Sequence, residues 1–266
     1  MLTRIATALV LGTGVISLIA LGPHAAVASL LILVIAICFW EFHAMACPEF
    51  IADRWVGMVG ISLFLAAATW GTLLSTLTSA ALLLFLPALA VIFRTEPIEK
   101  AAQRLTVSWG GAVYLGGTAF FAIPLLENTD WLFTMCITVW GADSGAYFAG
   151  RLFGRTKLHK DVSPNKTVEG LLGGLATSVG AAAVLHQTLL ADANIGLASC
   201  LIAGAVSGLL GPLGDLIESA LKRAYNVKDS GKLLPGHGGF LDRLDALLFA
   251  MPFFALYGLH LGLVQM

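Results

Sequence analysis

Nine apolar runs dominate the 266-residue chain: residues 5–21, 25–42, 56–75, 78–93, 107–125, 131–150, 170–190, 194–214 and 246–264. A bilayer core about 30 Å thick takes roughly 20 apolar residues per crossing helix. The expected fold class is therefore all-α, a polytopic transmembrane helix bundle of about nine spans. Composition agrees: 58% of residues are hydrophobic and 12% charged, against roughly 45–50% and about 25% in soluble domains. Mean hydropathy is +0.88. A net charge of −1 excludes the basic footprint that nucleic-acid binding requires, so no nucleic-acid partner is expected, and membrane lipids surround the chain instead. Arg4, the first run and Ala26-Val27-Ala28 imitate a cleavable leader. The run exceeds the usual apolar length of such leaders, so a retained first helix is expected.

The basic residues set an orientation. Arg4 precedes the first span and Arg54 follows the second; Arg94, Lys100 and Arg104 follow the fourth. Arg151, Arg155, Lys157, Lys160 and Lys166 follow the sixth, and Lys222, Arg223, Lys228, Lys232 and Arg243 follow the eighth. All fifteen lysines and arginines thus fall on one side, while the opposite loops carry only Glu127, Asp130 and Asp192. The positive-inside rule puts the N-terminus in the cytoplasm and the C-terminus outside. The two long polar segments, 151–169 and 215–245, then face the cytoplasm. A single integral membrane domain is expected, with N-terminal helices over 1–106 and a catalytic part over 107–266.

Segment 215–245 carries chemistry. Asp215, Ser219 and Lys222/Arg223 share one helical face. Lys228-Asp229-Ser230-Gly231-Lys232 and Pro235-Gly236-His237-Gly238-Gly239 read as loop, since Gly and Pro supply turn backbone. Asp242 and Asp245 open the last span. A loop that only anchors to anionic headgroups accounts for the bases but not for the acids among them. A metal–phosphate site accounts for both: carboxylates for magnesium, cations for phosphate and glycines for close backbone approach. Asp143, amid small and apolar neighbours, reads as functional. Ser163-Pro164 reads as a turn into a helix whose N-terminus, with Lys166, suits an anion. Helix capping by Ser163, Thr167 and Glu169 is an equal reading.

Elsewhere the polar residues read as structural. Glu41 and His43 end the second span and read as interfacial; His186 and His260 read as incidental. Cys38, Cys136 and Cys200 lie in apolar runs and read as packing residues. Gly204 and Gly208 form a GxxxG pair suited to close helix packing, within one chain or across a homodimer.

The stretch Ser219-x-Leu221-Lys222-Arg223-x4-Lys228-Asp229-x-Gly231-x2-Leu234-Pro235-x-His237-Gly238-Gly239-Phe240-x-Asp242-Arg243-Leu244-Asp245 resembles the signature of the phosphatidate cytidylyltransferases. Asp143-Ser144-Gly145 and Ser163-Pro164-Asn165-Lys166 are similar to further segments of that family. The resemblance implies cytidylyl transfer from CTP to phosphatidate, giving CDP-diacylglycerol and pyrophosphate, with Mg2+ as cofactor, in phospholipid biosynthesis at the bacterial inner membrane. It implies magnesium ligation by Asp215 and Asp242, with Asp245 a further candidate. Lys222, Arg223, Lys228 and Arg243 would hold phosphates, with Asp242, Asp245, Lys222 and Arg223 at the reacting centre. Asp143, Ser163, Lys166 and Ser219 would contact substrate, and Asp229 and His237 would orient a ligand or order the loop. A CTP-dependent kinase of lipid alcohols needs similar parts and differs in releasing CDP. A cation transporter using Asp143, Asp215 and Asp245 would place its site near the bilayer midplane, usually within internal repeats, and no repeat is visible here.

Overall fold

The computed structural model describes residues 2–93, 97–234, 236 and 238–265, with side chains from Gly12 onward. Its helices are α1 (Leu2–Leu21), α2 (His24–Ala46), α3 (Ile51–Trp70), α4 (Leu73–Ile92), α5 (Ile98–Leu125), α6 (Thr129–Phe153), α7 (Val168–Gln187), α8 (Leu197–Ala224) and α9 (Leu241–His260). A hairpin of β1 (Lys157–His159) and β2 (Ser163–Thr167) lies between α6 and α7. The all-α class holds. Among the described residues, six helices, α2 to α5 with α7 and α8, are long and apolar enough to cross a membrane, so this is a multi-pass membrane protein. Helices α6 and α9 have the length but carry more polar residues.

Local chemistry sets the breaks. The apolar run over 56–75 is cut at Gly71 and Thr72 by a capping box. Ser75 N–H donates to Thr72 Oγ1 (3.3 Å) and Thr72 N–H to Ser75 Oγ (2.7 Å), which satisfies two amides at the start of α4. The run over 78–93 is therefore the second part of a 20-residue helix. Within α5, residues Ala112–Gly117 widen into a π-helical turn. Helix α8 ends at Ala224, and Asn226 just beyond it has a φ of +56°, the left-handed conformation that Asn tolerates after a helix. Ser163-Pro164 does not turn into a helix but lies in β2, because a proline biases the residue before it towards extended backbone. The helix N-cap falls on Thr167, whose Oγ1 accepts from Gly170 N–H at 3.1 Å.

The helices gather into two compact units, residues 1–123 with 225–243 and residues 124–224 with 244–266. In the first, Ile35, Phe39, Ile61, Leu65 and Leu115 form a core with no solvent exposure. A buried ion pair links α5 to α3: Arg104 donates through Nε to Asp53 Oδ2 (2.6 Å) and through Nη2 to Asp53 Oδ1 (2.9 Å). This two-pronged geometry satisfies both charges. In the second unit, α6, α7 and α8 approach through small residues. A Cβ on Gly208 would lie 2.8 Å from Leu175 Cα, and one on Gly204 would lie 2.8 Å from Ser178 O. The GxxxG pair thus packs α8 on α7 within one chain. All four cysteines are buried, as packing residues should be.

Candidate active site

In the second unit, the C-terminal half of α8 meets the first turns of α9. Asp215 and Glu218 on α8 and Asp245 on α9 bring carboxylate oxygens within 4.8 Å of one another. Helical spacing of i and i+3 places Asp215 and Glu218 on one face. Gly214 makes the approach of α9 feasible, because a Cβ there would collide with the carbonyl oxygen of Asp245. Glu218 is fully buried and Asp245 nearly so, whereas Asp215 keeps a partly open side chain.

Two lysines compensate this negative cluster. Lys166, presented by β2, pairs with Asp215 Oδ2 at 2.7 Å and donates to Pro212 O at 3.2 Å. Lys222 pairs with Glu218 one helical turn away. Ser219 Oγ donates to Asp215 Oδ1 (3.1 Å) and Ala246 N–H to Asp245 Oδ1 (2.8 Å). Asp143 on α6 interacts electrostatically with Asp215 and Lys166, and Arg223 is exposed in the last turn of α8. The hairpin carrying Lys166 is anchored by Glu169, whose carboxylate accepts from Arg155 N–H (3.0 Å) and Thr156 N–H (3.1 Å). Of the capping candidates, Thr167 caps α7 and Glu169 instead ties down the preceding loop. Ser163, half-buried, sits at the far end of β2.

The rest of the signature belongs to the first unit. Asp242 Oδ2 accepts from Ser230 N–H (2.9 Å), Ser230 Oγ (2.9 Å) and Gly239 N–H (2.8 Å), so Asp242 ties the loop to the first turn of α9. Gly238, with φ of +80°, sits where a side chain would be strained and pairs with Leu234, whose N–H donates to Gly238 O (3.0 Å). Lys228, Asp229 and Arg243 are exposed on this loop; His237 lies outside the described residues.

Two acids escaped the sequence reading. Glu218 sits at i+3 from Asp215, and that spacing was the available signal. Glu41 reads as interfacial in the sequence but is buried in the first unit at 3% exposure. It contacts the loop rather than headgroups, accepting at Oε2 from Leu241 N–H (3.0 Å) and Ser230 Oγ (3.3 Å). Its neighbour His43 is likewise buried, its Nε2 3.4 Å from Ser108 Oγ, and is not interfacial either. No local signal could reveal contacts between residues 200 positions apart.

A polytopic membrane protein with buried carboxylates, paired lysines and a glycine-rich cationic loop has the parts of a membrane-embedded phosphate-handling enzyme. Residues 2–261 match the profile of the cytidylyltransferase family, and the chain belongs to that family. It is 45% identical over 147 residues to a phosphatidate cytidylyltransferase of Bacillus subtilis, covering 53% of this chain and 54% of that protein. It is 48% identical over 125 residues to one from Haemophilus influenzae, covering 46% and 43%, and 46% over 126 residues to one from Staphylococcus saprophyticus, covering 47% and 48%. The chain spans about half the length of the curated relatives it matches.

Proposed function

We propose that this protein transfers a cytidylyl group from CTP to phosphatidate, giving CDP-diacylglycerol and pyrophosphate. The observation that carries the reading is the Asp215–Glu218–Asp245 cluster with Lys166 and Lys222 beside it, in a chain that matches the cytidylyltransferase family. Magnesium fits the donor set: it takes carboxylate oxygens and keeps positions for substrate phosphates. Asp215 and Asp245, joined by Glu218, would hold it, and the ion would supply charge neutralisation at the transferring phosphorus. Asp242 stays a candidate ligand alongside its loop contacts.

The chain's own groups do the rest. Lys166 and Lys222 hold positive charge against carboxylates until a triphosphate arrives and offers its oxygens instead. Arg223, Lys228 and Arg243, all exposed, would meet the remaining phosphate charge, with Asp229 and His237 ordering the loop and Asp143, Ser163 and Ser219 completing the substrate contacts. The lipid phosphate attacks the α-phosphorus of CTP and pyrophosphate departs, so the protein has to align and neutralise rather than supply a nucleophile.

We further infer nine spans with a cytoplasmic N-terminus and an outer C-terminus, from the one-sided lysines and arginines. The site then faces the cytoplasm of an inner membrane, where CTP is found. Detergent-solubilised protein given phosphatidate, Mg2+ and CTP labelled at the α-phosphate tests the reaction. Label in extractable lipid with pyrophosphate release is expected. Label retained as aqueous CDP while an added lipid alcohol gains phosphate would instead establish a lipid-alcohol kinase.

A further inference from the structure

We propose that Glu41, on the second helix, is a positioning residue for the signature loop, holding Ser230, Gly231, Gly239 and Leu241 around one buried carboxylate. This deepens the reading of a CTP-using site and rests on it, because the residues so held lead directly into Asp242 and Arg243.

The geometry is specific. Glu41 Oε2 accepts from Leu241 N–H, an amide at the start of α9, and from Ser230 Oγ at the other end of the loop. A helix's first amides have no intrahelical acceptor, so the carboxylate satisfies one and its charge suits the helix N-terminus. The carboxylate also occupies the space that side chains at 231 and 239 would need: a Cβ on either glycine would overlap it. The two signature glycines thus leave room for an anion that the chain itself supplies. Asp242 works from the opposite side, accepting from Ser230 N–H, Ser230 Oγ and Gly239 N–H. Ser230 and Gly239 are held between two carboxylates, one 12 or fewer positions away and one contributed by α2. Glu41 Oε1 is buried with no hydrogen-bond partner among the described residues, so the exposed alternative of a water-facing acid does not apply. A buried carboxylate inside a span is costly unless it has a task, and here the task is loop order.

The conservative variant separates position from mere packing. Glu41→Gln retains an oxygen where Oε2 stands, Glu41→Ala does not, and Ser230→Ala removes one contact from the loop side with little change in volume. Hydrogen exchange of the purified full chain should show the Ser230, Gly239 and Leu241 amides opening about tenfold faster in Glu41→Ala, the loss expected for a charge-assisted hydrogen bond. The KM for CTP should rise about tenfold, with Glu41→Gln recovering most of both effects and Ser230→Ala showing a smaller change in the same direction. Loop exchange at the wild-type rate in both Glu41→Ala and Ser230→Ala would overturn the proposal. So would lower yield of Glu41→Ala with unchanged KM and kcat in the folded fraction. If the wild-type protein turned over no CTP, the reading of the reaction would fail, and the exchange arm alone would still decide whether Glu41 orders the loop.

Discussion

Glu218 and Lys222 are nearly or wholly buried, and removing one member of such a pair exposes the other's desolvation cost. Lys222→Met should lower stability by about 3–5 kcal/mol, read as a drop in the thermal midpoint in detergent. Lys222→Arg should fold, yet lose activity, since a planar guanidinium does not reproduce a compact ammonium. Unchanged stability in Lys222→Met would mean that Glu218 is compensated elsewhere. At this scale the sequence reveals the residues whose spacing is local: Asp215, Ser219 and Lys222 on one face, then Asp242 and Asp245 at the start of a span. It does not reveal which carboxylates converge. Asp242 turns to Ser230 and Gly239, while Glu218, which the sequence reading assigns no role, completes the cluster with Asp215 and Asp245.

Among the elements, close packing of small residues sets the second unit. Gly208 faces Leu175 Cα on α7, so Gly208→Leu should force α8 off α7. Overpacking of this kind costs about 1–3 kcal/mol or more, and the expected result is a sharply reduced folded fraction by size-exclusion in detergent. A monodisperse variant with wild-type melting would contradict the close approach. The helices were legible because apolar runs report burial in lipid or protein directly. The hairpin was not, because its strands are three and five residues long and too polar to show alternation. Pro164 held the relevant signal, an extended Ser163, which the expectation of a helix start outweighed. The Thr72–Ser75 capping box was likewise written in the sequence, but within an unbroken apolar run it is easily passed over.

For the whole molecule, the proposed orientation rests on charge distribution alone and is open to a direct check. The four native cysteines are buried, which gives a low background for thiol labelling. A membrane-impermeant maleimide on intact cells should label Asp192→Cys, and should reach Lys157→Cys only after permeabilisation; the reverse pattern would invert the topology. The first hundred residues read as generic membrane helices, yet the loop over 225–243 belongs to the same compact unit, tied there by Glu41. That link is invisible to sequence reading, since it joins positions 200 residues apart. The carboxylate cluster of the second unit is the proposed centre of cytidylyl transfer. The most direct test of that role is CDP-diacylglycerol formation by Asp215→Asn beside the wild type, at matched levels of inserted protein. A fall of about 100-fold or more, as for loss of one preorganised electrostatic group, is the expected result. Turnover at the wild-type rate would remove Asp215 from the reaction and contradict the account.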